Sequence, residues 1–113
     1  MAFKVEKQDS VTVISVDGQL VVSNRQEFKQ LVLDEVAGGA RMVIIDFSGT
    51  SYVDSSGLGA LVSLGKRLRE SGAELRLAGL NEDMVALFEL TRLDSLFRLY
   101  SSSSEARSGA ELS

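Results

Sequence analysis

The run Met42-Val43-Ile44-Ile45 contains no polar residue and closes on Asp46-Phe47 ahead of Ser48-Gly49-Thr50-Ser51. Consecutive apolar, mostly β-branched residues cannot alternate between a wet and a dry face. A strand built from them has to be covered on both sides. Two stripes of helical period flank it. Upstream, Phe28, Leu31, Val32 and Val36 share one face before Gly38-Gly39 ends the pattern. Downstream, Leu58, Leu61, Val62, Gly65 and Leu68 lie opposite Ser63, Lys66, Arg67, Arg69 and Glu70, and Ser71-Gly72 closes the segment. A buried central strand between two amphipathic helices predicts an α/β fold.

The remaining segments fit that frame. Phe3 and Val5 alternate with Lys4 and Glu6, and Val11 to Val16 is rich in β-branched residues, with the polar step Gln8-Asp9-Ser10 between them. This predicts an antiparallel hairpin. Ser23-Asn24-Arg25-Gln26 matches a reciprocal capping box at the start of the first helix. Leu75 and Leu77 alternate with Glu74 and Arg76 as a short strand. Asn81 is a suitable N-cap for a third helix, with Glu82 and Asp83 in its first turn and Met84, Leu87 and Phe88 as its apolar side. Phe97 and Leu99 around Arg98 mark a last strand. The expected order is ββαβαβαβ, an α/β mixed sheet with helices, in one domain over residues 1–100. The serine-rich residues 101–113 read either as a frayed tail or as a short C-terminal helix.

Composition narrows the chemistry. The chain of 113 residues has neither cysteine nor histidine. Thiolate metal sites, disulfides and a Ser-His-Asp triad are therefore excluded, and neither a metal nor a cofactor is expected. Twelve Lys and Arg against sixteen Asp and Glu leave a net charge of −4, the wrong sign for binding nucleic acid. No apolar run approaches the ~20 residues of a membrane span, and the N-terminus lacks the apolar block of a signal peptide. The expectation is a cytoplasmic domain that binds neither nucleic acid nor membrane.

The segment Asp54-Ser55-Ser56-Gly57-Leu58-Gly59-Ala60-Leu61 departs from ordinary core patterning. Two serines stand where a loop becomes a helix, and two glycines follow, each costing roughly 0.8–1.0 kcal/mol against alanine inside a helix. One reading is plain: Asp54 or Ser55 caps the helix, and the glycines permit tight packing. The other gives Ser56 an exposed hydroxyl at the helix mouth. A phosphate placed there would meet unpaired amides and the positive end of the dipole.

Val43-Ile44-Ile45-Asp46-Phe47 followed by Tyr52-Val53-Asp54-Ser55-Ser56-Gly57-Leu58-Gly59-Ala60-Leu61 resembles the signature of STAS-domain anti-sigma-factor antagonists. Val13 to Leu20, Leu75 to Leu80, and Met84 to Phe97 with Leu90-Thr91-Arg92-Leu93-Asp94 at its centre, are similar to the segments that flank it there. The likeness runs from about Phe3 to Tyr100 and is specific in the Asp-Ser-Ser-Gly-Leu-Gly core. It implies a STAS-like fold and a non-catalytic partner-switching protein that regulates transcription. Such a protein binds a cognate anti-sigma-factor serine kinase, is phosphorylated on the serine before the motif glycine (here Ser56), and is reset by a phosphatase. Asp54, Ser55, Gly57, Leu58 and Gly59 would form the partner-binding surface around that serine. Weak self-association is left open.

One departure stands out. Family members often carry an acid after the Gly-x-Leu of the first long loop, where this chain reads Gly18-Gln19-Leu20-Val21. Val21 supplies no carboxylate; the departure is either drift or a sign of a different kinase. Among rival functions, a receiver-type phosphoacceptor at Asp46 lacks the acids needed to hold magnesium after the first strand, and no lysine follows Lys66. A non-catalytic STAS scaffold or sensor subunit that controls no sigma factor directly would use the same surface. The run Lys66-Arg67-Leu68-Arg69-Glu70 reads as a solvated helix face, with contact to an acidic partner as the alternative.

Overall fold

The computed structural model describes residues 2–109. β1 (Phe3–Gln8) and β2 (Val11–Val16) form the expected antiparallel hairpin, with Gln8 facing Val11 across Asp9-Ser10. Asp9 adopts φ 56°, in the left-handed region that aspartate tolerates better than most residues. β3 (Gly18–Leu20), α1 (Arg25–Ala37), β4 (Met42–Asp46), β5 (Thr50–Val53), α2 (Ser55–Glu70), β6 (Glu74–Ala78) and α3 (Glu82–Leu90) follow. A single 3-10 turn (Leu93–Ser95), β7 (Arg98–Tyr100) and α4 (Ser103–Ser108) complete the described chain.

Five strands make one sheet in the order β1-β2-β4-β6-β7, in which only β1 is antiparallel to its neighbour. β4 lies at its centre, as its unbroken apolar run predicts: Val43, Ile44 and Ile45 are all fully buried. Phe28 and Val32 of α1, Leu61, Leu64 and Leu68 of α2, and Met84 and Phe88 of α3 cover one face. On the other face Val13, Ile44, Ala78 and Tyr100 pack under Ala106 of α4. Of the two readings of the tail, a short helix forms. It is held partly by the Arg76 guanidinium, which donates through Nη1 to the Ala106 carbonyl at 2.5 Å and lies 5.3 Å from the Tyr100 ring centroid. Residues 110–113 lie outside the described residues.

Three local expectations are corrected. The Ser23 capping box does not form, because Asn24 takes the cap position. Its side chain closes the turn behind it, accepting from the Val21 N–H at 2.9 Å and donating to the Gln19 carbonyl at 2.8 Å. On α2 the buried stripe is Gly57, Ala60, Leu61, Leu64 and Leu68. This rotates the core face away from Val62, which is 38% exposed. The stretch read as a loop at Thr50-Ser51 is part of β5, which pairs in parallel with β3 as a separate two-stranded sheet. That pairing joins residues more than 30 apart, and neither segment carries enough alternating apolar residues to announce a strand.

Candidate functional site

The β3–β5 pair exists where α2 begins, and it fixes the helix entrance. Leu20 pairs with Val53, the Thr50 hydroxyl donates to the Val16 carbonyl at 2.6 Å, and the Ser51 hydroxyl donates to the Gly18 carbonyl at 3.0 Å. Asp54 then leaves the strand in an extended conformation (φ −90°, ψ −178°) and caps α2. Of the two candidate caps it is Asp54 that acts: Oδ1 accepts from the Gly57 N–H at 2.8 Å. Its Oδ2 accepts from the Val22 N–H at 3.2 Å. One carboxylate therefore ties the loop after β3 to the first turn of α2.

Gly57 is buried in this junction. A Cβ there would lie 2.5 Å from the Leu20 carbonyl oxygen and 2.8 Å from Cγ1 of Val53, so only glycine lets the helix start so close to the β3 backbone. Gly59 is different. It is exposed, and a Cβ there would meet nothing within 4 Å. Packing explains the first glycine and leaves the second unexplained.

Ser55 and Ser56 occupy the first two helical positions, Ser55 exposed and Ser56 half-buried. Among the described residues neither hydroxyl makes a hydrogen bond. Their backbone N–H groups likewise find no acceptor there, as expected at a helix start whose cap has engaged the third amide. Leu58 is half-buried at the edge of the main core. Of the six residues singled out in the sequence, Asp54, Ser55, Ser56, Leu58 and Gly59 reach the surface of this helix end, whereas Gly57 lies beneath it.

Two surface residues escaped the sequence reading. Val22 is 62% exposed with its amide on Asp54, and Tyr52 is 54% exposed two residues before the cap. Val22 belongs to no periodic segment and Tyr52 closes a stretch that reads as loop, so neither carries a local signal of where its side chain goes. Val21 itself is half-buried in the turn that leads into α1. Asp46, the rival phosphoacceptor, accepts from the Ser48 N–H at 2.9 Å and serves as a loop anchor.

A model of the STAS domain matches residues 2–106 of the chain. The chain belongs to the STAS domain family. Within that family it aligns with an anti-sigma-B factor antagonist of Staphylococcus aureus at 30% identity over 92 residues, 81% of this chain and 85% of that one. The fold superposes on a crystal structure from Thermotoga maritima with a TM-score of 0.87 at 29% identity, covering 95% of this chain and 92% of that one. SpoIIAA, an anti-sigma factor antagonist solved in its unphosphorylated form, shares the fold at 21% identity (TM-score 0.81, 96% of each chain). Its phosphorylated form, from Bacillus, superposes with a TM-score of 0.76 and covers 96% of this chain and 99% of that one. The chain is thus a STAS domain of the anti-sigma-factor antagonist group. Among its described residues no helix is long and apolar enough to cross a membrane.

Proposed function

We propose that this STAS domain is a cytoplasmic anti-sigma-factor antagonist that binds a cognate anti-sigma-factor serine kinase through the N-terminal end of α2. Phosphorylation of Ser56 switches that binding off, and a phosphatase restores it. The observation that carries the reading is the Ser56 hydroxyl, half-buried in the first turn of α2 and without a hydrogen bond among the described residues. That SpoIIAA has been solved in a phosphorylated form supports it. Around the hydroxyl, Ser55, Gly59, Leu58 and the exposed Val22 offer a small, mostly uncharged surface on which a partner can close.

Electrostatics give the switch its strength without refolding. A phosphate on Ser56 adds about −1.5 to −2 charges beside the Asp54 carboxylate. Asp54 already accepts the Gly57 amide, so the phosphate is left with the Ser55 and Ser56 amides as its nearest donors. Closing a partner over that group removes its water. Each ~1.4 kcal/mol of uncompensated desolvation or repulsion lowers affinity tenfold, so about 2.8 kcal/mol gives a hundredfold switch. Gly57 acts by spacing: it holds the helix start against β3, while Gly59 keeps the exposed turn low enough for close approach.

The test uses the kinase captured from the chain's own cells by the tagged protein. With ATP it should add one phosphate, mapped by mass spectrometry to Ser56. Ser56→Ala should bind normally and stay unmodified, and Ser56→Asp should bind at least tenfold more weakly. Modification confined to Ser55, or equal affinity of all three proteins, refutes the assignment.

A further inference from the structure

The C-terminal half of α2 carries a second surface, remote from Ser56 in the chain. Gly65 lets the Phe97 ring lie against the helix backbone: a Cβ there would stand 3.1 Å from Cε1 of Phe97. Beside this contact two adjoining hollows, of about 200 and 220 Å³, run between α2 and the chain at residues 96–98. Val62 and Leu96, 38% and 52% exposed, give the groove apolar walls. Lys66 and Arg69 stand at its rim, both exposed, and neither joins an ion pair among the described residues. Further along, Glu74 is held by Arg76 at 2.7 Å and by Arg98 at 3.7 Å, so the groove's own acid does not neutralise these two cations. On a chain of net charge −4 this is a local positive patch with an apolar floor.

The same molecule carries the complement. In α3, Met84 and Phe88 are buried, while Glu82, Asp83, Ala86, Glu89 and Leu90 are all exposed. At 100° per residue these five share one face, with small Ala86 at its centre and acids along both edges. The helix contains no Lys or Arg. Leu90, at 81%, is the most exposed of the large apolar side chains among the described residues. α3 ends six residues before Leu96, so the acidic ridge and the basic groove are neighbours along the chain.

We propose that the chain pairs with a second copy of itself, the Glu82–Ala86–Glu89–Leu90 face of α3 on one copy seated in the Val62–Lys66–Arg69–Leu96 groove of the other. A two-fold axis makes the contact twice, once in each direction, because each copy has both halves. Charge complementarity selects a second copy over an unrelated occupant: the groove asks for an apolar side chain flanked by carboxylates, and α3 presents Leu90 beside Glu89. The patches are small, so the dimer is weak and transient. Its rim of exposed charges makes it sensitive to salt.

Sedimentation equilibrium of the full chain from about 10 μM to 1 mM tests this. A monomer–dimer equilibrium is expected, weakened about tenfold between ~0.05 and ~0.5 M salt. Lys66→Glu with Arg69→Glu should abolish it, as should Glu82→Lys with Glu89→Lys, while circular dichroism and thermal midpoints confirm that both variants fold. An equimolar mixture of the two variants should dimerise again, since both contacts are then charge-matched. A wild type that stays monomeric, a dimer indifferent to either reversal, or a mixture that fails to associate overturns the proposal. Groove occupation by an acidic partner instead would appear as the first of these outcomes. None of them bears on Ser56.

Discussion

Replacing each of the two motif glycines by alanine should shift stability in opposite directions. Both sites lie in α2, so both gain about 0.8–1.0 kcal/mol of helix propensity. At Gly59 nothing opposes that gain, because the new methyl enters open space. At Gly57 the methyl would stand 2.5 Å from the Leu20 carbonyl oxygen, 2.8 Å from Cγ1 of Val53 and 3.1 Å from Cγ of Leu20. Backbone cannot swing aside as a flexible side chain can, so the cost falls at the upper end of the ~1–3 kcal/mol typical of overpacking. The net expectation is a loss of about 1–2 kcal/mol for Gly57→Ala and a gain of just under 1 kcal/mol for Gly59→Ala. Taking ~4 °C per kcal/mol for a domain of this size, the two midpoints should separate by roughly 8–12 °C. Urea titrations with unchanged m-values would show that native stability, and not the denatured state, has moved. Two changes of the same sign would refute the account of Gly57 as the residue that lets α2 start against β3. Gly59→Ala should also weaken partner binding despite its greater stability, because it thickens the exposed turn beside Ser56.

Other expectations are more local. Asp54→Ala removes the α2 cap together with the tether to Val22, and should cost about 1–2 kcal/mol. Amide exchange at Val22 and Gly57 should accelerate together, and acceleration at only one of them would break the claim that a single carboxylate joins loop and helix. Tyr100→Phe should be neutral or stabilising by up to ~1 kcal/mol, since among the described residues the buried Tyr100 hydroxyl has no hydrogen-bond partner. A loss above ~1 kcal/mol in chemical denaturation would mean that the hydroxyl has a partner in solution.

What could be read from the sequence was set by interactions that span four residues or fewer. The apolar run of β4 specified a covered central strand, Asn81 specified its cap by accepting from the Met84 amide at 2.8 Å, and the Asp54-Ser55-Ser56-Gly57 order specified a helix mouth with a serine in its first turn. The sequence pattern places the dry face of α2 one step off, with Val62 inward and Leu64 outside the stripe, because a helix with apolar residues on adjacent rows has no unique dry face until its neighbours are in place. The Ser23 box failed for a related reason, since Asn24 could close the turn through the Gln19 carbonyl.

The order of side chains along α2 determined that a serine hydroxyl would stand in a helix's first turn, beside a carboxylate. Tertiary structure alone decided that β3 and β5 would pair, that Asp54 would reach across 32 residues to Val22, that Gly57 would be crowded against Leu20 and Gly59 exposed, and that α4 would close the second face over Tyr100. These are contacts between segments far apart in the chain. Their energies depend on where the sheet puts each backbone, which no local pattern of residues encodes.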